Sequence, residues 1–344
     1  MVSKKAKAFL LIMLLLLALA SIIMSVLIGS VRLNVLDIFS IIAERIFGTP
    51  APHISDIQKE IIWNIRLPRV LLAFLAGGAL ALGGAVVQSV LKNPLASPYT
   101  MGVSAGASLA ISIIIAFGIS VPALGIFFRP LVGFLAGILA VVSVIMLTLA
   151  VDKRTTGMTI VLTGMVLSLF YSAIQTLISA VNQDSIREIT VWQMGSFAMR
   201  GWIFVYMMIP FFVIGVISLM FFNRELDVMT LGDEQARSIG VNTSFVMPMA
   251  LSLSALLVGA SVAVSGIIGF VDLVTPHVAR RLFGSRHIYI MPASVIIGGT
   301  MMVLADLAAR AIIAPAELPV GAVTAVIGVP FFCYIFFRGR GKSV

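Results

Sequence analysis

The chain has 344 residues, of which 60% are hydrophobic and 11% charged, and its mean hydropathy is +1.14. A soluble domain carries about a quarter charged residues. A soluble globular protein is therefore excluded, and so is a single anchor on a soluble domain, because apolar stretches recur from end to end. The net charge of +9 bears on membrane orientation rather than on nucleic acid, for which no role is expected.

A membrane helix needs roughly 20 mostly apolar residues. The first such run is 8–28, behind Lys4, Lys5 and Lys7. Ala18-Leu19-Ala20 imitates a signal-peptide cleavage site, but the apolar run continues unbroken to Ile28, which favours a retained helix. A polar stretch, 32–66, follows. Further spans are expected at 68–91, 99–117, 124–151, 158–181, 202–222 and 245–269, then a short one at 275–283, and finally 288–314 and 318–337. The expected fold is an all-α polytopic membrane protein of about ten helices in a single domain.

An even number of spans puts both termini on one side. Placing them in the cytoplasm puts most Lys and Arg there, among them Lys4, Lys92, Lys153, Arg154, Arg280 and Lys342, as the positive-inside rule requires. The location implied is the cytoplasmic (inner) membrane.

Gly77–Gly84 echoes Gly259–Gly266, and the same offset carries Pro94 onto Pro276 and Gly102 onto Gly284. One copy would enter the bilayer from outside and the other from inside. This is the pattern of an inverted repeat, with a pathway where the halves meet. Chance coincidence of small residues, which are common in packed membrane helices, is the alternative.

Several polar residues are expensive where they stand. Arg66 and Arg69 flank Pro68 at the outer entrance of the second span; they either snorkel to headgroups or offer cationic forks to an external partner. Arg310 follows Asp306 by one helical turn, a spacing that permits pairing. Asp272 lies in Gly-Phe-Val-Asp-Leu-Val-Thr-Pro-His, where it can bond His277 or cap the short helix. Gln88, Asn93 and Pro94 precede a helix-breaking stretch, and Pro276 is its counterpart in the second copy; with Asp272 they are candidate pathway or gate residues.

The cytoplasmic segment 227–242 reads as a short amphipathic helix. Leu231, Ala236 and Ile239 fall near one face, Thr230 is placed to cap with Asp233, and Gly240 to stop the helix. Its charges are mixed, which favours a protein partner over a lipid surface.

Cys333 is the lone cysteine and the three histidines are scattered, so no cofactor or metal is expected; Cys333 itself is expected as a small buried apolar residue. No Gly-x-x-x-x-Gly-Lys-Ser occurs: the terminal Gly-Arg-Gly-Lys-Ser has Phe336 where the first Gly belongs. The chain is thus not expected to be an enzyme, and any ATP-driven work needs a partner.

Arg66-Leu-Pro-Arg69, Gln88–Ala96, Leu231-Gly-Asp-Glu-Gln-Ala-Arg-Ser-Ile-Gly-Val241, Pro276-His-Val-Ala-Arg280, Ala305–Arg310 and Glu317–Pro330 occur in this order. Together they resemble the membrane permeases of type II ABC importers for iron–siderophores, haem and cobalamin. The resemblance implies ten helices, a second permease copy (identical or paralogous), two ATP-binding cassette ATPase subunits and a periplasmic or lipid-anchored substrate-binding protein. It implies ATPase coupling for Leu231, Gly232, Asp233, Glu234, Ala236, Arg237, Ile239 and Gly240, and binding-protein docking for Arg66, Arg69 and Arg310. Asp272 departs from the family, which commonly has a small residue there. An iron–siderophore is the leading cargo, with cobalamin, haem and molybdate as alternatives. An ion-coupled secondary transporter, which would need a midplane acid cluster, is the rival of another class.

Overall fold

The computed structural model describes residues 3–29, 34–151 and 157–340, with side chains described through Tyr334. Lys153, Arg154 and Lys342, which entered the orientation argument, lie outside the described residues, and Arg338 and Arg340 outside the described side chains.

The described residues form fifteen α-helices. α1 (Lys4–Leu27) crosses the bundle, and α2 (Val35–Phe47) lies in the stretch expected to be polar. α3 (Asp56–Glu60) runs through a π-helical turn, Ile61–Arg66, into α4 (Leu67–Val90). The second long helix thus begins at Asp56 rather than at the proline. The π turn ends just before Pro68, where the Leu67 N–H reaches back to Ile62; proline has no N–H to continue the ordinary ladder.

α5 (Val103–Ala116), α6 (Phe128–Val151), α7 (Gly157–Val181), the short α8 (Ile186–Gln193) and α9 (Trp202–Phe221) follow. Then come α10 (Asn223–Met229), α11 (Asp233–Ser238), α12 (Thr243–Ser265), α13 (Val271–Phe283), α14 (His287–Ala311) and α15 (Val320–Arg340). Among the described residues, seven helical stretches are long and apolar enough to cross a membrane.

α4 is the centre of the bundle and is buried along nearly its whole length. It packs antiparallel to α12 and α14. A Cβ at Gly298 would overlap Ala81 and the Gly77 carbonyl oxygen, and one at Gly83 would press on Val258. Small residues let the backbones approach this closely, and dispersion then acts without help from a hydrophobic effect in lipid.

The repeat is inverted. After α4 the chain turns at Lys92–Ser97, passes a 3-10 turn at Pro98–Met101, and starts the half-length helix α5 behind Gly102. After α12 it runs unwound through 266–269, turns at Phe270 (φ 70°) and starts the half-length helix α13. Gly102, before α5, and Gly284, after α13, both hold positive φ, 87° and 82°, which glycine tolerates best. The beginnings of the two half-helices meet inside the bundle, where the Tyr99 hydroxyl donates to the Ile268 carbonyl at 3.0 Å.

Two expectations need correction. The short segment at 275–283 is part of α13, which starts at Val271 and does not cross by itself; the unwound 266–270 completes the passage. Its amphipathic sequence, with Asp272, His277, Arg280 and Arg281, explains why it cannot face lipid along a full span. Cys333 is exposed, on α15.

Candidate functional site

The polar residues collect at the two ends of the bundle. At one end, Arg66 lies buried and donates through Nη1 to the carbonyls of Val26 (2.9 Å) and Leu27 (3.2 Å). Arg310 donates to the Ile28 carbonyl at 2.8 Å, to the Ser25 carbonyl and to Ser25 Oγ at 2.8 Å. Two guanidiniums thus close the C-terminus of α1, where unsatisfied carbonyls favour cations.

Arg69 is buried between two carboxylates. It reaches Asp306 through Nε and Nη2 (2.8 Å for the latter) and Glu317 through Nη1 and Nη2 (2.9 and 3.0 Å). Asp306, fully buried, therefore takes Arg69 as its main partner; its helical neighbour Arg310 stands 3.8 Å away. The sequence expectation of an Asp306–Arg310 pair is secondary to this longer-range contact. Trp63 and Trp202 pack with tilted rings, centroids 5.0 Å apart, and the Trp202 indole N–H donates to the Trp63 carbonyl; aromatic residues are enriched at membrane interfaces.

None of the three arginines projects freely: burial near lipid favours partners within the chain. Glu317 carries no site signal in the sequence, where it merely opens an apolar motif.

At the opposite end lie the segment 227–242 and the candidate gate residues. α11 starts behind Gly232 (φ 128°), and no side chain caps it. Thr230 instead donates to the Asp227 carbonyl at 2.6 Å. The expected Thr230–Asp233 capping box is absent because Gly232, in a conformation only glycine adopts readily, sets the entry angle. Gly240 (φ 96°) follows the helix. Of the expected apolar face, Ala236 is buried, whereas Leu231 and Ile239 are 64% and 62% exposed. Glu234 and Arg237 are exposed beside them, and Asp233 pairs with Lys92 at 2.6 Å. Arg237 Nε donates to Thr243 Oγ1 at 2.8 Å.

Gln88, Asn93, Pro94, Asp272 and Pro276 are brought together where α4, the turn after it and α13 meet. Gln88 Nε2 donates to the Asp272 carbonyl at 3.2 Å, and its Oε1 accepts from Arg280 at 2.6 Å. The Asn93 side chain accepts from the Leu95 N–H at 2.9 Å. His277 faces the Pro94 carbonyl at 3.4 Å. Asp272, on the first turn of α13, takes the Ser97 hydroxyl rather than His277 as its partner. Pro276 is buried within α13. Among the described residues, no group of three His, Cys, Asp or Glu is placed to hold a metal.

α1 runs from Lys7, over the Tyr289 ring, toward Arg66; α15 runs from Val320, bonded to Gly195, toward His277, against which Phe332 packs. α1 therefore begins, and α15 ends, toward the end that carries α11.

Residues 15–338 match the FecCD transport family. The chain belongs to that family. It is 40% identical over 326 residues to the uncharacterized ABC transporter permease protein YvrB of Bacillus subtilis (strain 168), covering 94% of this chain and 92% of YvrB. It is 36% identical over 291 residues to the hemin transport system permease protein HmuU of Yersinia pestis, covering 83% and 86%. A solved structure described as an inward-facing conformation of a metal-chelate type ABC transporter superposes with a TM-score of 0.82 at 29% identity, covering 96% of this chain and 99% of that one. The FecCD chain is thus an ABC transporter permease of the multi-pass helical kind.

Proposed function

We propose that this FecCD-family chain is the permease subunit of an ATP-driven importer of a metal chelate, with an iron–siderophore as the leading cargo. Hydrolysis falls to two separate ATP-binding cassette subunits, selection to an external binding protein, and the path to the interface with a second permease copy. Hemin, cobalamin and molybdate are the cargo alternatives.

The observation that carries this reading is the pair of exposed apolar side chains, Leu231 and Ile239, that flank the small helix α11 at one end of the bundle. They lie outside the long apolar helices and beside the exposed charges of Glu234 and Arg237, a mixture that suits a protein partner better than lipid. Basic residues gather at the same end, so it is assigned to the cytoplasm, and the Arg66–Arg69–Arg310 end to the outside.

The arginines qualify the docking mechanism. Carboxylates of a binding protein must displace Val26, Glu317 and Ser25 as their partners. Docking would then exchange internal contacts for external ones and so favour one permease conformation over another. Only such differential contacts shift an equilibrium between states; nucleotide contacts at the other end would bias it in turn.

The test is uptake of a radio-iron hydroxamate chelate into proteoliposomes holding the permease, its ATPase and its binding protein. Uptake should require ATP and vanish when the ATPase carries a Walker-A mutation. Uptake by the permease alone would overturn the proposal.

A further inference from the structure

A hydrogen-bonded chain, buried at His287, Ser89 and Gln88 and half-buried at Asp227 and Arg280, links the ATPase-facing segment to half-helix α13. It starts at Asp227 on α10, where Oδ1 accepts from the His287 backbone N–H at 2.8 Å and from its ring Nδ1 at 2.6 Å. A carboxylate only accepts, so Nδ1 carries its proton toward Asp227. That contact fixes the ring of His287, which is 1% exposed, and leaves Nε2 2.7 Å from Ser89 Oγ. Ser89, near the end of α4, accepts from Arg280 Nη2 at 3.2 Å, and its single hydroxyl proton is divided between His287 Nε2 and the Ala85 carbonyl 2.8 Å away. Arg280 on α13 continues to Gln88 at 2.6 Å, and Gln88 to the Asp272 carbonyl at 3.2 Å. Ser97 holds the far side of the same turn through the Asp272 carboxylate.

Capping of α14 requires only the Asp227 contact with the His287 N–H. The ring contact and everything beyond Ser89 exceed that need. The chain joins α10, α4 and the consecutive pair α13 and α14. In a water-poor interior such directional bonds are stronger than in water, and they hold their elements in one register.

We propose that His287 and Ser89 are positioning residues that transmit displacement of the 227–242 segment to α13 and the adjoining 97–101 turn. The proposal rests on the importer-permease reading: nucleotide closure moves α10 and α11, and the His287–Ser89 contact carries that movement to the half-helix nearest the candidate gate.

The experiment uses the full complex in proteoliposomes, with spin labels at Arg281 on α13 and Leu147 on α6 in a C333S background. Nucleotide trapping should shift the label distance in the otherwise wild-type complex. S89A and H287A should each abolish most of that shift while ATP hydrolysis and assembly persist. Chelate moved per ATP hydrolysed should fall at least about five-fold, the lower end of ordinary coupling between sites. Because both variants cut one link, the double variant should be no worse than either.

An undiminished shift, a parallel loss of hydrolysis and uptake, or multiplying effects in the double variant would each overturn the proposal. If H287A does not assemble, S89A decides, since it removes one hydroxyl and no charge. The distance readout does not depend on cargo. Failure of the wild-type complex to hydrolyse ATP counts against the importer reading, whereas failure confined to the variants concerns the linkage.

Discussion

Arg69 and Asp306, 237 residues apart in sequence, meet in a buried two-pronged ion pair: Nε lies 3.0 Å from both carboxylate oxygens and Nη2 2.8 Å from one. The pair ties the start of α4 to the last turns of α14 at the end away from α11. Asp306 also stands within 3.8 Å of Arg310, so its removal leaves Arg69 with the half-exposed Glu317 as its one carboxylate and Arg310 with neutral partners alone. D306A should lower stability by about 3–5 kcal/mol, whereas the apolar double variant R69M/D306L should lose far less. Thermal denaturation in detergent, followed by size exclusion, separates the two outcomes.

The exposed residues of the 227–242 segment should matter for assembly and not for folding. L231D/I239D places charge on side chains that touch mainly solvent in the isolated chain, so the permease should remain monodisperse with an unchanged melting temperature. Co-purification of the ATPase should fall at least about ten-fold, a loss of roughly 1.4 kcal/mol or more. Full retention of the ATPase would remove this segment from the interface.

G298V should be among the more damaging substitutions in the bundle. Its side chain would meet Ala81 and the Gly77 carbonyl, which cannot move without parting α4 from α14. Overpacking of a tight core costs about 1–3 kcal/mol, measurable as a drop in melting temperature. G240A, where no atom lies within 4 Å of the added carbon but φ is 96°, should cost less and only locally.

Orientation can be read by cysteine labelling in a C333S background. M199C, at a side chain 98% exposed beyond α8, should react with an impermeant maleimide added outside intact cells. I239C should react only after permeabilisation. The reverse pattern would invert the topology assigned here.

Much of the architecture was legible because lipid is a demanding solvent. Long apolar runs announce helices, and the Gly77–Gly84 and Gly259–Gly266 echo announces two related passages. What misled was polarity on short elements. The segment at 275–283 reads as a truncated span, yet α13 starts at Val271 and depends on unwound backbone at 266–270, which is tolerated only because other helices surround it. Likewise 32–66 reads as a polar connection, although α2 folds there with Ile38 and Ile41 buried.

The candidate sites divide in the same way. Spacing singles out Leu231, Ala236 and Ile239 as one face, but the structure buries Ala236 and leaves the other two exposed on either side of α11. The partners of Arg66, Arg69 and Arg310 could not be chosen from spacing, since Val26, Asp306 and Ser25 come from distant helices. His287 and Ser89 carried no signal at all: 198 residues separate them, and neither type is unusual at a helix end.

The sequence by itself determined that the chain lives in a membrane, roughly how often it crosses, and which loop stays polar with apolar teeth. Those are local properties, fixed by transfer of side chains between water and hydrocarbon. Tertiary structure alone decided where each cation rests and which polar groups form a continuous line from one end toward the interior. A buried charge takes whichever acceptor the packing of other helices brings within 3 Å, and no spacing rule along a single helix contains that information.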